Sequence, residues 1–165
     1  MKNYLVASAL ACAVLSSSAF AADGVINFTG KIINNACVVN PTLNVQMGDV
    51  AATDFKKVGD ESGSRAFDLE LKDCPVNLKN AKVTLDGAAD ANNTELFKLN
   101  DAGATGLALR IERPGNKAVI PGSSTADIPL SEGNNLLPFV AAYKSTDKVT
   151  AGDANATLQF SISYN

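Results

Sequence analysis

Apolar residues recur at every second position along most of this chain, and that alternation leaves little room for anything but β-sheet with one dry face. The last stretch, ATLQFSISYN, puts Leu158, Phe160, Ile162 and Tyr164 on one side of a strand and polar residues between them. NLLPFVAAYK does the same with Leu137, Phe139, Ala141 and Tyr143, and GLALRIERPG with Leu107, Leu109 and Ile111. RAFDLELKDCP alternates Phe67, Leu69 and Leu71; AKVTLDG offers Val83 and Leu85; LNVQMGDV offers Leu43, Val45 and Met47. Clusters of turn residues separate these runs: DESGS, DGAADANN, NDAGATG, PGSS, SEGNN and TAGDAN. Many short strands at turn-like spacing predict an all-β sandwich. Pro138 has no N–H for a ladder, so its strand is expected to present that position at an edge or a bulge.

The opening residues read differently. In MKNYLVASALACAVLSSSAFA, a basic Lys2 precedes an apolar run from Tyr4 to Leu15, and Ala19-Phe20-Ala21 is a small-x-small cleavage site. Those are the three parts of a secretory signal peptide. The run is shorter than the roughly 20 apolar residues of a membrane-spanning helix. Cys12 does not turn it into a lipoprotein signal, because Ala9 stands where such signals favour Leu. Removal of residues 1–21 is therefore expected and leaves 144 of the 165 residues, enough for one domain with a real core. Losing Lys2 takes the formal charge from −3 to −4, which gives no reason to expect a nucleic-acid partner. Two cysteines remain, and in an exported protein Cys37 and Cys74 read as one disulfide. The chain-entropy model credits a loop of this size with about 4 kcal/mol.

Directly after the expected cleavage site comes GVINFTGKIINNAC. Ile26, Phe28, Gly30 and Ile32 alternate with Asn27, Thr29 and Lys31, so the arm over residues 22–36 is itself a strand with one apolar face. Glycine is the odd member of that face, since in a strand it marks a bulge or a close backbone approach.

The side chains argue against catalysis. The chain has no histidine, the commonest general base and metal ligand. Both mature cysteines are taken by the disulfide, and no Ser or Lys sits in a motif that would activate it. Asp60-Glu61 lies in a Gly/Ser stretch and reads as solvated loop charge. DGAADANN is rich in oxygen ligands but lacks the spacing and the distal glutamate of a calcium loop, so it reads as a turn. No enzyme, no metal and no cofactor is expected.

In this order, the alternating arm with Gly30, the contexts of Cys37 and Cys74, the Pro138-Phe139 strand with Ala141 and Tyr143, Gly152 fourteenth from the last residue and the penultimate Tyr164 resemble the subunits of chaperone–usher fimbriae, the type 1-like pilins. The resemblance covers residues 22–165. It implies an incomplete immunoglobulin-like β-sandwich over 37–165 that lacks its final strand and is completed by donor-strand exchange, a form of strand addition. Ile26, Phe28, Gly30 and Ile32 of one subunit would fill an apolar groove in its neighbour, with Gly30 at a shallow spot. Gly152, Leu158, Phe160, Ile162, Tyr164 and Asn165 would form the flanking C-terminal strand.

The implied partners are a periplasmic chaperone that covers the groove and holds the Asn165 carboxylate, an outer-membrane usher, and neighbouring pilus subunits. The implied route runs through the periplasm to a fimbrium at the cell surface. The brief arm adds weight to a minor role beside that of shaft subunit. The alternatives are a small carbohydrate- or receptor-binding adhesin-like sandwich, disfavoured by the absence of Trp, and a self-sufficient sandwich whose arm serves as its own last strand.

Overall fold

The computed structural model describes residues 26–30 and 36–165. The chain divides into two units, Met1–Ile33 and Asn34–Asn165. The expected signal peptide and Ile32 of the arm lie outside the described residues. Within the first unit, residues 26–30 carry exposed side chains at Ile26 and Phe28. A methyl group added at Gly30 would meet nothing within 4 Å.

The described residues of the second unit form nine strands: β1 (Val38–Val39), β2 (Glu61–Cys74), β3 (Asn80–Asp86), β4 (Phe97–Lys98), β5 (Leu107–Arg113), β6 (Lys117–Ala118), β7 (Ile128–Pro129), β8 (Gly133–Ser145) and β9 (Gln159–Tyr164). They form two antiparallel sheets, one ordered β1-β2-β8-β5-β4 with β6 on β5, the other ordered β7-β3-β9. The sandwich expected from the alternation is present.

Its core lies between the two apolar faces. Leu137, Phe139, Ala141 and Tyr143 of β8 are buried, as are Leu69 and Leu71 of β2, Leu109 and Ile111 of β5, and Val83 of β3. Phe67 and Phe139 stand directly opposite in the β2–β8 ladder and stack with centroids 5.4 Å apart. The disulfide between Cys37 and Cys74 ties the start of the unit to the end of β2.

On the outer face, Ala108 of β5 and Ala142 of β8 are also buried, beneath longer neighbours. Lys144 lies opposite Ala108 and Arg110 opposite Ala142. Glu61 bridges the two cations, 2.9 Å from Arg110 and 2.9 Å from Lys144, and Glu112 pairs with Arg110. The charged heads of this network stay partly wet.

Two stretches depart from the sequence expectation, DESGS and residues 42–50, while Pro138 meets it. DESGS is not a turn between elements: β2 begins at Glu61 and passes through a bulge between Ser62 and Arg65, with Gly63 at φ 70°. A bulge needs the same permissive backbone as a turn, so composition alone does not separate them. Glu61 is consequently a strand residue in an ion-pair network and no solvated loop charge. Pro138 belongs to an interior strand, opposite Asp68 of β2, yet β5 pairs only as far as Val140, so Pro138 occupies a local edge. Finally, no strand is assigned over residues 42–50 despite the alternation of Leu43, Val45 and Met47.

Candidate functional site

The register of β9 decides what its free side offers. Asn165 and Asn80 exchange hydrogen bonds, each N–H donating to the other's carbonyl at 3.1 Å. In an antiparallel ladder such exchanging pairs alternate with non-bonded ones. Ser163, Ser161 and Gln159, opposite Lys82, Thr84 and Asp86, therefore point their backbone groups at β3. Phe160, Ile162 and Tyr164 point theirs the other way, where β9 has no strand neighbour among the described residues. The same parity continues toward the N-terminus. The Asn155 carbonyl accepts from Asn100 at 2.7 Å and the Asp153 carbonyl from Ala104 at 2.8 Å, so Ala154, Ala156 and Leu158 face the free side. The residues that carry the apolar side chains are thus the ones with unpaired peptide groups.

Across from this edge runs the 43–50 segment. Among the described residues none of its backbone groups pairs with another backbone group. Leu43, Val45, Met47 and Val50 of this segment and Ala156, Leu158 and Phe160 of the C-terminal segment form the two walls of a cavity of about 630 Å³. Its floor is apolar, with Phe67, Leu85, Leu109, Ile111 and Tyr143. Leu158, Phe160, Ile162 and Tyr164 are only partly buried although they pack on the core. Two lines of unpaired backbone with half-covered hydrophobic residues between them form a strand-shaped gap. Such an edge exposes both ladder groups and apolar surface, a combination that invites strand addition.

The predicted C-terminal residues take the following places. Leu158 and Phe160 line the cavity; Ile162 and Tyr164 extend the same face beyond it. Burial raises the Tyr164 phenol above its ordinary pKa, and raises that of Tyr143 for the same reason. The main-chain oxygen of Asn165 accepts from Lys79 at 3.0 Å and Asn80 at 3.1 Å, which anchors the end of the strand. Gly152 lies in the segment before β9, not on it. A methyl group there would come within 2.6 Å of the Ala104 nitrogen, and one on Gly103 would overlap the Asp153 carbonyl oxygen. The two glycines let the 103–104 and 152–153 backbones touch. Gly103, Tyr143 and the 43–50 wall were not singled out from sequence as site residues. Leu43, Val45 and Met47 carried a strand signal, but nothing in it tells a paired strand from an unpaired one.

The remaining polar clusters have structural roles. Asp90 of the oxygen-rich stretch accepts the N–H groups of Asn92 and Asn93 at 3.0 Å each, an Asx turn. Asp60 accepts those of Lys56 at 2.8 Å and Lys57 at 2.9 Å, and its carboxyl is held below the usual value chiefly by the Lys57 bond.

The chain can be set beside known proteins. The family model described as fimbrial protein matches residues 26–165. Long polar fimbria protein A of Salmonella typhimurium is 38% identical over 165 residues, which span 93% of this chain and 92% of that protein. Among solved structures, an antigen and type I fimbria protein of Burkholderia pseudomallei superposes with a TM-score of 0.64 at 34% identity, covering 78% of this chain and 88% of that one. The P pilus rod subunit PapA superposes with a TM-score of 0.69 at 22% identity over 78% of this chain and 99% of that one, a likeness of fold. With its all-β sandwich and the Cys37–Cys74 disulfide, the chain belongs to the fimbrial protein family.

Proposed function

We infer that this structural subunit of a chaperone–usher fimbria is one strand short of a closed sandwich and takes that strand from the arm of the next subunit. The observation that carries the reading is the gap itself, an apolar floor between β9 and residues 43–50, both with unpaired backbone groups on the sides that face it. The arm has the matching form. Ile26, Phe28 and Ile32 alternate with polar residues, and full burial of each contributes about 1.5–3 kcal/mol. Ladder hydrogen bonds add about 0.5–1.5 kcal/mol apiece. No neighbouring atom demands a glycine at position 30, so the reason for it is sought in the groove that receives it.

Before assembly the same gap must be covered. A periplasmic chaperone lending a strand along Leu158, Phe160, Ile162 and Tyr164 and holding the Asn165 carboxylate would do so, and an outer-membrane usher would then pass the subunit from the periplasm into the growing surface fibre. Assembled fimbriae are extracellular, and the role assigned to this chain there is structural rather than enzymatic.

The test uses the mature chain and a peptide of residues 22–36. Fibres should run as ladders on gels when not boiled, and the peptide should raise the unfolding temperature of the subunit. A lone polypeptide that refolds into a cooperatively melting monomer and ignores the peptide would refute the reading.

A further inference from the structure

We propose that Met47 is a modification site in the wall of the groove, where a peroxide oxidises the thioether of the unassembled subunit to a sulfoxide that hinders strand addition. The proposal rests on the strand-addition reading and goes beyond it to ask what chemistry the open groove exposes.

Sulfur is scarce in this chain. Within residues 22–165 Met47 is the single methionine, and the two cysteines of that stretch are joined to each other. A disulfide offers no thiolate, which leaves the Met47 thioether as the soft sulfur that a mild oxidant meets.

Its position gives that oxidation a consequence. Met47 lies on the 43–50 wall, lines the cavity and packs on the core while only partly buried. Among the described residues no backbone group of this wall pairs with another backbone group, so no strand covers Met47 before assembly. An arm seated between the two walls would lie against it. An unbranched thioether adapts its shape to an incoming side chain, and until that side chain arrives a small oxidant can enter from solvent.

The step needs no help from other residues. A lone pair of Met47 Sδ attacks one oxygen of hydrogen peroxide, an S–O bond forms and the O–O bond breaks. The leaving hydroxide takes the proton of the transferred oxygen and departs as water. Sulfur loses two electrons and the peroxide gains them.

The product replaces an apolar side chain by a polar one with a strong acceptor oxygen. Of the floor residues Phe67, Leu85, Leu109, Ile111 and Tyr143, only Tyr143 carries a donor, and its hydroxyl already donates to the Ala154 carbonyl at 2.6 Å. Covered by an arm, the sulfoxide oxygen is either left unbonded, which is costly, or takes a wall N–H that the arm itself needs. Both outcomes weaken the arm. Conversely, a seated arm keeps peroxide from the sulfur.

The experiment exposes the mature subunit to hydrogen peroxide, alone and with the peptide of residues 22–36, and follows the gain of one oxygen at Met47 by mass spectrometry. With peptide at a hundred times its Kd only about 1% of the subunit is open, so oxidation should slow about a hundredfold. The oxidised subunit should bind the peptide about tenfold or more weakly, and methionine sulfoxide reductases for both epimers should restore the affinity. Met47→Leu should bind the peptide equally before and after peroxide. Equal oxidation rates with and without peptide, or an unchanged affinity of the oxidised subunit, would overturn the proposal, as would the same loss of affinity in peroxide-treated Met47→Leu. Should that variant not fold, recovery under the reductases decides in its place, and no recovery counts against the site. Untreated wild-type subunit that binds no arm peptide would instead sink the strand-addition reading.

Discussion

Gly30 and Asp60 show how differently single residues earn their place. Gly30 has open space around it and no positive φ, so a side chain there costs its own unit nothing. Gly30→Leu is expected to leave the subunit able to accept a wild-type arm peptide while its own arm no longer enters a neighbour. Binding of the two peptides to wild-type subunit, compared by calorimetry, checks this; equal affinities would contradict it. Asp60 acts locally. Its carboxylate is bonded to two backbone N–H groups, and the lowered pKa means the folded state prefers the charged form. The stabilisation it gives is present above the ordinary value of 3.8 and is lost as pH falls through the lower folded value. In urea titrations of the peptide-bound subunit, Asp60→Asn should therefore lose less stability than wild type between pH 7 and the acid range below 3.8.

Among the elements, β9 and the 43–50 segment matter most, and they were unequally legible. The alternation of Leu158, Phe160, Ile162 and Tyr164 gave the strand and its inward face, both present in the structure. The alternation of Leu43, Val45 and Met47 gave an inward face but not the missing partner, because periodicity reports which side of a chain is dry and says nothing about who pairs with its backbone. The bulge at Gly63 was hidden for a related reason: a strand that bends and a chain that turns ask for the same residues. The bonds from Lys79 and Asn80 to Asn165 fix the end of β9. Deleting Tyr164 and Asn165 removes that anchor and the last position of the free edge, so no complex with a periplasmic chaperone should be recoverable from periplasm. A stable truncated complex would count against the assigned role of this edge.

For the molecule as a whole, the strand-addition reading ties stability to a partner. A ligand that binds only the folded state stabilises it by an amount set by its concentration over its Kd, about 2.7 kcal/mol at a hundredfold excess. Arm peptide should therefore shift the melting of the second unit in proportion to the logarithm of its concentration, and on the same reading a subunit in a fibre would meet a neighbour's arm at high effective concentration. What the amino-acid order determined unaided was local: dry and wet faces along each strand, turns other than DESGS, the pairing of Cys37 with Cys74, the glycine on the arm. What only the tertiary structure decided was which edges stay unpaired, that Glu61 sits among Arg110 and Lys144, that Gly103 meets Gly152, and that the Tyr143 hydroxyl reaches the Ala154 carbonyl. The physical reason is range. Faces follow from the two-residue repeat of a single strand, whereas an unpaired edge is a property of neighbours brought together from distant parts of the chain.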